Sequence, residues 1–170
     1  MLRHKLQQGF TLIELLIAIA IFTMLSSFMV ASFTSDEKTR LLKEQADLVL
    51  AGIDQARNLS LAGSGPSNIY SQQFVFTVSN CQTGCFYEVK GRDPDQQIVK
   101  KNLEGISVTV KNETSNQLSI SFAVPRGRMA LSGDSNPSEA QIEVSNNSSA
   151  FCIQVNSISG KVEEIKGNCP

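Results

Sequence analysis

The chain has 170 residues, a formal net charge of −1, four Cys, one His and no Trp. That length holds one domain of ordinary size, or a small domain plus a special segment. The near-neutral balance argues against a dedicated nucleic-acid binder, and the single His4 leaves little for His-based catalysis or a mixed Cys/His zinc site.

Charged residues make up only 18% of the chain, and the apolar ones are concentrated: Phe10 to Phe33 is nearly unbroken apolar sequence with Glu14 as its one charge. As a helix these residues rise about 36 Å, enough to cross a hydrocarbon core of about 30 Å with some tilt. Arg3, His4 and Lys5 precede them, which places the short end in the cytoplasm. A cleaved secretory signal fits badly. Ala31 is preceded two positions earlier by Met29, and an Ala18-x-Ala20 site would fall inside the run. Glu14 is the informative residue, because a carboxylate in a membrane helix costs about 2–3 kcal/mol on insertion scales and nothing basic lies in the segment to pair with it.

Residues 9–16 read Gly9-Phe10-Thr11-Leu12-Ile13-Glu14-Leu15-Leu16 behind a short basic leader. This string resembles the class III signal of type IV prepilins and type II secretion pseudopilins. The resemblance implies cleavage by a membrane peptidase after Gly9 and N-methylation of the new first residue, Phe10. It also supplies a partner for Glu14: the Phe10 amine of a neighbouring subunit, which would make Glu14 the register residue of a filament, since a misplaced subunit leaves a charge unpaired in lipid. Many members of the family carry Pro where Ala31 stands here. Without that Pro, an uninterrupted helix is expected. The partners implied are other pilin or pseudopilin subunits, the prepilin peptidase, the inner-membrane assembly platform and the membrane itself. The location implied is a single pass in the inner membrane with the C-terminal head outside, then an extracytoplasmic pilus or pseudopilus.

Beyond Phe33 the pattern becomes amphipathic. Leu42, Ala46, Val49, Ile53 and Ala56 recur at four- and three-residue steps, one face of a helix that would lie on a sheet. Ala62-Gly63-Ser64-Gly65-Pro66-Ser67 ends it. From Ile69 the period changes to two, in Phe74/Phe76/Val78, Ile106/Val108/Val110, Leu118/Ile120/Phe122/Val124, Ile142/Val144 and Phe151/Ile153/Val155. Turn-like stretches separate these runs at residues 91–94, 112–117, 132–137, 146–149 and 159–161. The expected fold class is α+β, type IV pilin-like: a long N-terminal α-helix with a membrane-embedded first half, packed on an antiparallel β-sheet-rich globular head. The organisation expected is leader 1–9, transmembrane half-helix 10–33, amphipathic half-helix 34–62 and extracytoplasmic head 63–170.

The order of elements in the head is similar to that of minor pilins and minor pseudopilins of the GspH/FimT type. The resemblance lies in Phe122-Ala123-Val124-Pro125-Arg126-Gly127-Arg128, a strand followed by Pro-x-Gly, and in Gly160-Lys161-Val162, a closing hairpin. Some FimT-type proteins bind DNA through Gly-Arg-x-Arg near the C-terminus. Here the matching place reads Gly160-Lys161-Val162-Glu163, which leaves Arg126, Arg128 and Lys161 as candidate phosphate contacts. Of the 15 Lys and Arg, Arg3 and Lys5 fall in the leader, so 13 would face 16 Asp and Glu in a processed chain, and nucleic acid is not the expected partner. The four cysteines lie outside the membrane, where disulfides are the default, and they allow three connectivities. Cys81–Cys85 across a tight turn and Cys152–Cys169 at the tail are favoured, the second resembling the C-terminal disulfide loop of many type IV pilins. A four-thiolate zinc site is the competitor, though it lacks a paired Cys-x-x-Cys. No cofactor, no metal and no catalytic constellation are expected, so the chain reads as a structural subunit rather than an enzyme.

Overall fold

A computed structural model of the chain describes residues 11–64, 71–92, 95–111, 116–132 and 138–170, and of residues 27–36 the backbone alone. It divides into two compact units, Met1–Lys38 and Thr39–Pro170.

Helix α1 runs Leu12–Ala62, 51 residues, and is continuous through Ala31. More than about four times the usual helix length, it changes character along its course. From Leu12 to Leu25 its large side chains are apolar and exposed, Leu12, Ile13, Phe22 and Met24 among them, with Glu14 the one charge in that stretch. In the second unit Leu42, Ala46, Val49, Ile53 and Ala56 are fully buried along one stripe. The helix ends at Gly63, whose φ of 71° supplies the left-handed conformation that closes a C-terminus.

Nine strands are described in the second unit. One sheet contains β1 (Gln73–Ser79), β2 (Cys85–Arg92), β3 (Gln96–Leu103), β5 (Gln117–Ala123) and β6 (Arg128–Ser132), in the order β3-β2-β1-β5-β6. The other contains β4 (Ser107–Lys111), β7 (Glu139–Ser145), β8 (Ala150–Asn156) and β9 (Lys161–Lys166), in the order β4-β7-β8-β9. All recorded pairings are antiparallel. Strict alternation sends Phe74, Phe76, Val78, Leu118, Ile120 and Phe122 inward from the first sheet, and Ile142, Val144, Ile153 and Val155 from the second. Both sets join the helix stripe in a single buried cluster.

Two details differ from the pattern read in the sequence. Gly91 and Arg92 are not a turn but the end of β2, where they pair with Phe74 and Gln73; a bulge at Val89/Lys90 shifts the register against β3 just before them. Val124 leaves the strand because Pro125 follows it, and residues 124–127 form the turn into β6. Strands β2, β3, β6 and β9 have no counterpart among the alternating runs. The turn at 146–149 is built by Asn146, whose side-chain oxygen accepts from the backbone N–H of Ser148 and Ser149.

The helix lies so close to the first sheet at Gly52 that a Cβ there would come within 2.6 Å of Tyr87 and 2.8 Å of Phe76. Those two rings sit 5.4 Å apart, centroid to centroid. Polar ties reach both sheets as well: Gln45 Oε1 accepts from the Glu104 N–H at 3.2 Å, and Arg57 Nη1 donates to the Gly160 carbonyl at 3.3 Å.

Candidate assembly site at the start of the helix

Gly9 and Phe10 lie outside the described residues, which begin at Thr11. Thr11 is the N-cap of α1: its carbonyl accepts the first helical bond, from Leu15 N–H at 3.2 Å. Its Oγ1 accepts from Glu14 N–H at 3.4 Å, and Glu14 Oε2 in turn accepts from Thr11 N–H at 3.4 Å and Thr11 Oγ1 at 3.2 Å. This is a reciprocal capping box, Thr-x-x-Glu, which satisfies two donors that the helix start would otherwise leave open. A carboxylate in the first turn also sits at the positive end of the helix dipole. Glu14 is exposed, and only Oε2 is used by Thr11, so the carboxylate is held in place with one oxygen free for an outside partner.

Around it, Leu12, Ile13, Leu15, Leu16, Ile17 and Ile19 are all more than half exposed. A helix apolar all round has no solvated face and calls for lipid or other helices on every side. The hydroxyls further along are turned back onto the helix, Thr23 Oγ1 to the Ala20 carbonyl at 2.9 Å and Ser26 Oγ to the Phe22 carbonyl at 2.8 Å, so they present no open hydrogen-bonding demand to an apolar environment. Among the described residues no helical stretch is long and apolar enough to cross a membrane; side chains of the run are described from Leu12 to Ser26.

The cysteines are paired Cys81–Cys85 and Cys152–Cys169, with Cα separations of 5.5 and 5.0 Å, both within the span a disulfide bridges. Cys81 exchanges two backbone hydrogen bonds with Val108 of β4, each 2.9 Å, while Cys85 opens β2. The first bridge thereby ties a residue paired to one sheet to the first residue of a strand in the other. The second folds the tail over the outer face of β8. There Cys169 N–H donates to Glu143 Oε2 at 3.1 Å, and Lys111 Nζ lies 3.6 Å from the same oxygen.

The candidate phosphate contacts are not brought together on one sheet. Arg126 lies in the β5–β6 turn and Arg128 opens β6, both exposed, in the five-stranded sheet; Lys161 opens β9 in the four-stranded sheet and is paired with Glu163. Elsewhere, Glu88 is flanked by Lys90 at 2.8 Å and Lys100 at 3.4 Å, and Lys90 above all holds its carboxyl below the ordinary range. Lys100 also sits 4.0 Å over the Phe86 ring. Burial and the neighbouring Asp47 on α1 push Glu164 upward, opposed by Lys43.

The Thr11–Glu14 box was missed in the sequence reading, although its signal was there: a hydroxyl residue three positions before a carboxylate at the head of an apolar run. Gly52 carried no signal, because only the distance between helix and sheet gives it meaning.

The family description "Prokaryotic N-terminal methylation motif" matches residues 4–30. The chain matched no curated protein and no solved structure. The motif, on a chain with one long N-terminal helix and antiparallel sheets, supports a type IV pilin-like or pseudopilin subunit, membrane-anchored and assembled with others of its kind.

Proposed function

We propose that the chain is a minor pilin or minor pseudopilin of the GspH/FimT type, serving a type IV pilus or a type II secretion pseudopilus as a structural, non-catalytic subunit. Prepilin peptidase cuts after Gly9, Phe10 becomes the N-methylated terminus, and residues 10–33 hold the subunit in the inner membrane until the assembly platform passes it into the filament. The observation that carries this reading is the exposed, all-apolar start of α1 with Glu14 as its one described charge, held at the cap and free on one oxygen. A buried amine is the partner such a carboxylate needs, and cleavage at Gly9 would create one next to Thr11.

The test is N-terminal peptide mass spectrometry on chains from sheared surface filaments and from membranes. A terminus at N-methyl-Phe10 in the filament fraction is the expected result for a pilin; the same terminus in membranes alone would favour the pseudopilin. An uncut Met1, or a start beyond Ala20, would remove the proposal. The alternative, a DNA-capturing minor pilin for natural transformation, draws little support from Arg126, Arg128 and Lys161. They lie on two sheets, and Glu163 already neutralises the Lys.

A further inference from the structure

The last turns of α1 are flanked by two chain reversals, one from each sheet. Gly127, in the β5–β6 turn, lies so near that a Cβ there would come within 2.9 Å of Leu61, and Val124 of the same turn would stand 3.9 Å from a Cβ on Gly63. Arg57 Nη1 donates to the carbonyl of Gly160, in the β8–β9 turn, at 3.3 Å. The end of the head that α1 reaches at its C-terminus therefore collects side chains from three elements. Leu61 is 54% exposed and Ile158, in the β8–β9 turn, is 83% exposed; Pro125 of the β5–β6 turn is exposed as well. Single exposed aliphatic residues are ordinary, but several gathered at one end of a head mark a contact surface.

The β8–β9 turn holds its isoleucine out on a fixed frame. Asn156 Oδ1 accepts from Ser159 N–H at 2.9 Å and from Ser159 Oγ at 3.0 Å. The Ser138 carbonyl accepts from Ser157 N–H at 2.8 Å and from Ser157 Oγ at 3.0 Å. A side chain displayed this way loses little freedom when it is buried against a partner. The charges at the same end are unbalanced. Arg57, Arg126 and Arg128 are exposed and form no ion pair among the described residues. Of the acids on β7 and β9 there, Glu163 is taken by Lys161, and Glu139 accepts from Asn156 Nδ2 at 2.7 Å. Asp54, one turn back on α1, forms no ion pair with Arg57.

We propose that this end of the head docks on an anionic phospholipid surface, with Ile158 and Leu61 entering the boundary between headgroups and acyl chains and Arg57, Arg126 and Arg128 taking the headgroup phosphates. Aliphatic side chains among unpaired guanidinium groups match that boundary, which offers apolar depth below a layer of phosphate. A nucleic acid also offers phosphates, but its bases call for aromatic platforms. The one exposed aromatic described in the head, Phe86, lies at the opposite end of the first sheet from Arg128. The contact is separate from the apolar run Phe10–Phe33 and does not depend on the pilin reading.

The chain has no Trp, so Ile158→Trp gives a reporter at a single site. The full-length variant is held by its apolar run in nanodiscs of phosphatidylcholine and mixed with vesicles of phosphatidylglycerol and phosphatidylcholine whose acyl chains are brominated. The expected result is a blue-shifted, quenched emission with these vesicles and none with vesicles of phosphatidylcholine alone. Phe86→Trp, the control, should show neither change. Arg126→Glu with Arg128→Glu should weaken binding to the anionic vesicles at least about tenfold, whereas the double Lys variant, which keeps both charges, should retain most of it. Ile158→Asp should weaken it by a similar factor in a flotation assay and leave the melting temperature unchanged. Quenching by neutral vesicles as strong as by anionic ones, no quenching at Ile158→Trp, or binding insensitive to the Arg→Glu pair would overturn the proposal. So would binding of a DNA duplex that the Arg→Glu pair abolishes while vesicles are ignored. Failure of the chain to enter nanodiscs counts against anchoring by residues 10–33 and is seen apart from the vesicle result, which is then read on the chain held in a neutral amphipol.

Discussion

At the scale of single residues, Glu14 serves a local purpose in the cap, and on the proposed function a distant one as well. Thr11 engages Oε2 from two donors, so the carboxylate is oriented before any partner arrives, and ordering it costs assembly less entropy. Replacing Thr11 with Val should fray the helix start, with a loss of about 0.5–2 kcal/mol of local stability, read as faster amide exchange at residues 12–15. Glu14→Ala should leave membrane insertion intact and lower incorporation into filaments, measured by the ratio of filament to membrane protein; unchanged incorporation would contradict the register role. Glu164 is the opposite case, a carboxyl that its site disfavours when charged. Its folded pKa is raised above the ordinary 4.5, chiefly by burial and then by Asp47, against the pull of Lys43. The unfolded chain thus ionises first as pH rises, and stability falls from about that ordinary value upward until the folded carboxyl ionises as well. Glu164→Gln should abolish that decline and leave the subunit more stable at neutral pH, as read from melting curves across a pH series. Glu88, held low by Lys90 and Lys100, acts with the reverse sign, its contribution being lost in acid.

At the scale of elements, the helix was the most legible part of the chain. Its apolar run, its stripe from Leu42 to Ala56 and its stop at Gly63 are all periodic or conformational signals carried by neighbouring residues. Strands with one buried face were legible for the same reason. Strand β3 was not, because it is an edge strand whose exposed residues, Lys100 and Lys101 among them, follow no alternation. The alternation in β2 was present in Cys85, Tyr87 and Val89, but it begins inside the Cys-rich turn and ends on a glycine, which hid it. The close approach of helix and sheet at Gly52 had no signature at all. Gly52→Ala should destabilise the subunit by about 1–3 kcal/mol through collision with Tyr87 and Phe76, although Ala is the better helix former by about 1 kcal/mol. A melting temperature that rises instead would mean that the rings move aside.

At the scale of the whole molecule, the division of nine strands into two sheets was beyond the reach of the sequence, since alternation says which face of a strand is buried and not which neighbour it pairs with. The segment at residues 122–128 spans one hairpin of the first sheet, and the one at 160–162 belongs to the second, so neither reports how the sheets meet. They meet through the shared core and through the Cys81–Val108 bridge. Opening the tail with Cys152→Ser and Cys169→Ser should cost about 3 kcal/mol by loop entropy, and would also release the Glu143 contact, giving a lower melting temperature without loss of the sheets.

The position of the Cys81–Cys85 bridge, beside the Cys81–Val108 backbone hydrogen bonds that join the two sheets, has a consequence for the order of events in the life of the chain. While its thiols are reduced the head lacks both staples, one at the junction of its sheets and one at its tail. Oxidation then acts as a latch that closes only after the polypeptide has left a reducing compartment. On the proposed route across a membrane, the chain would thereby make the passage without its staples and acquire them on arrival.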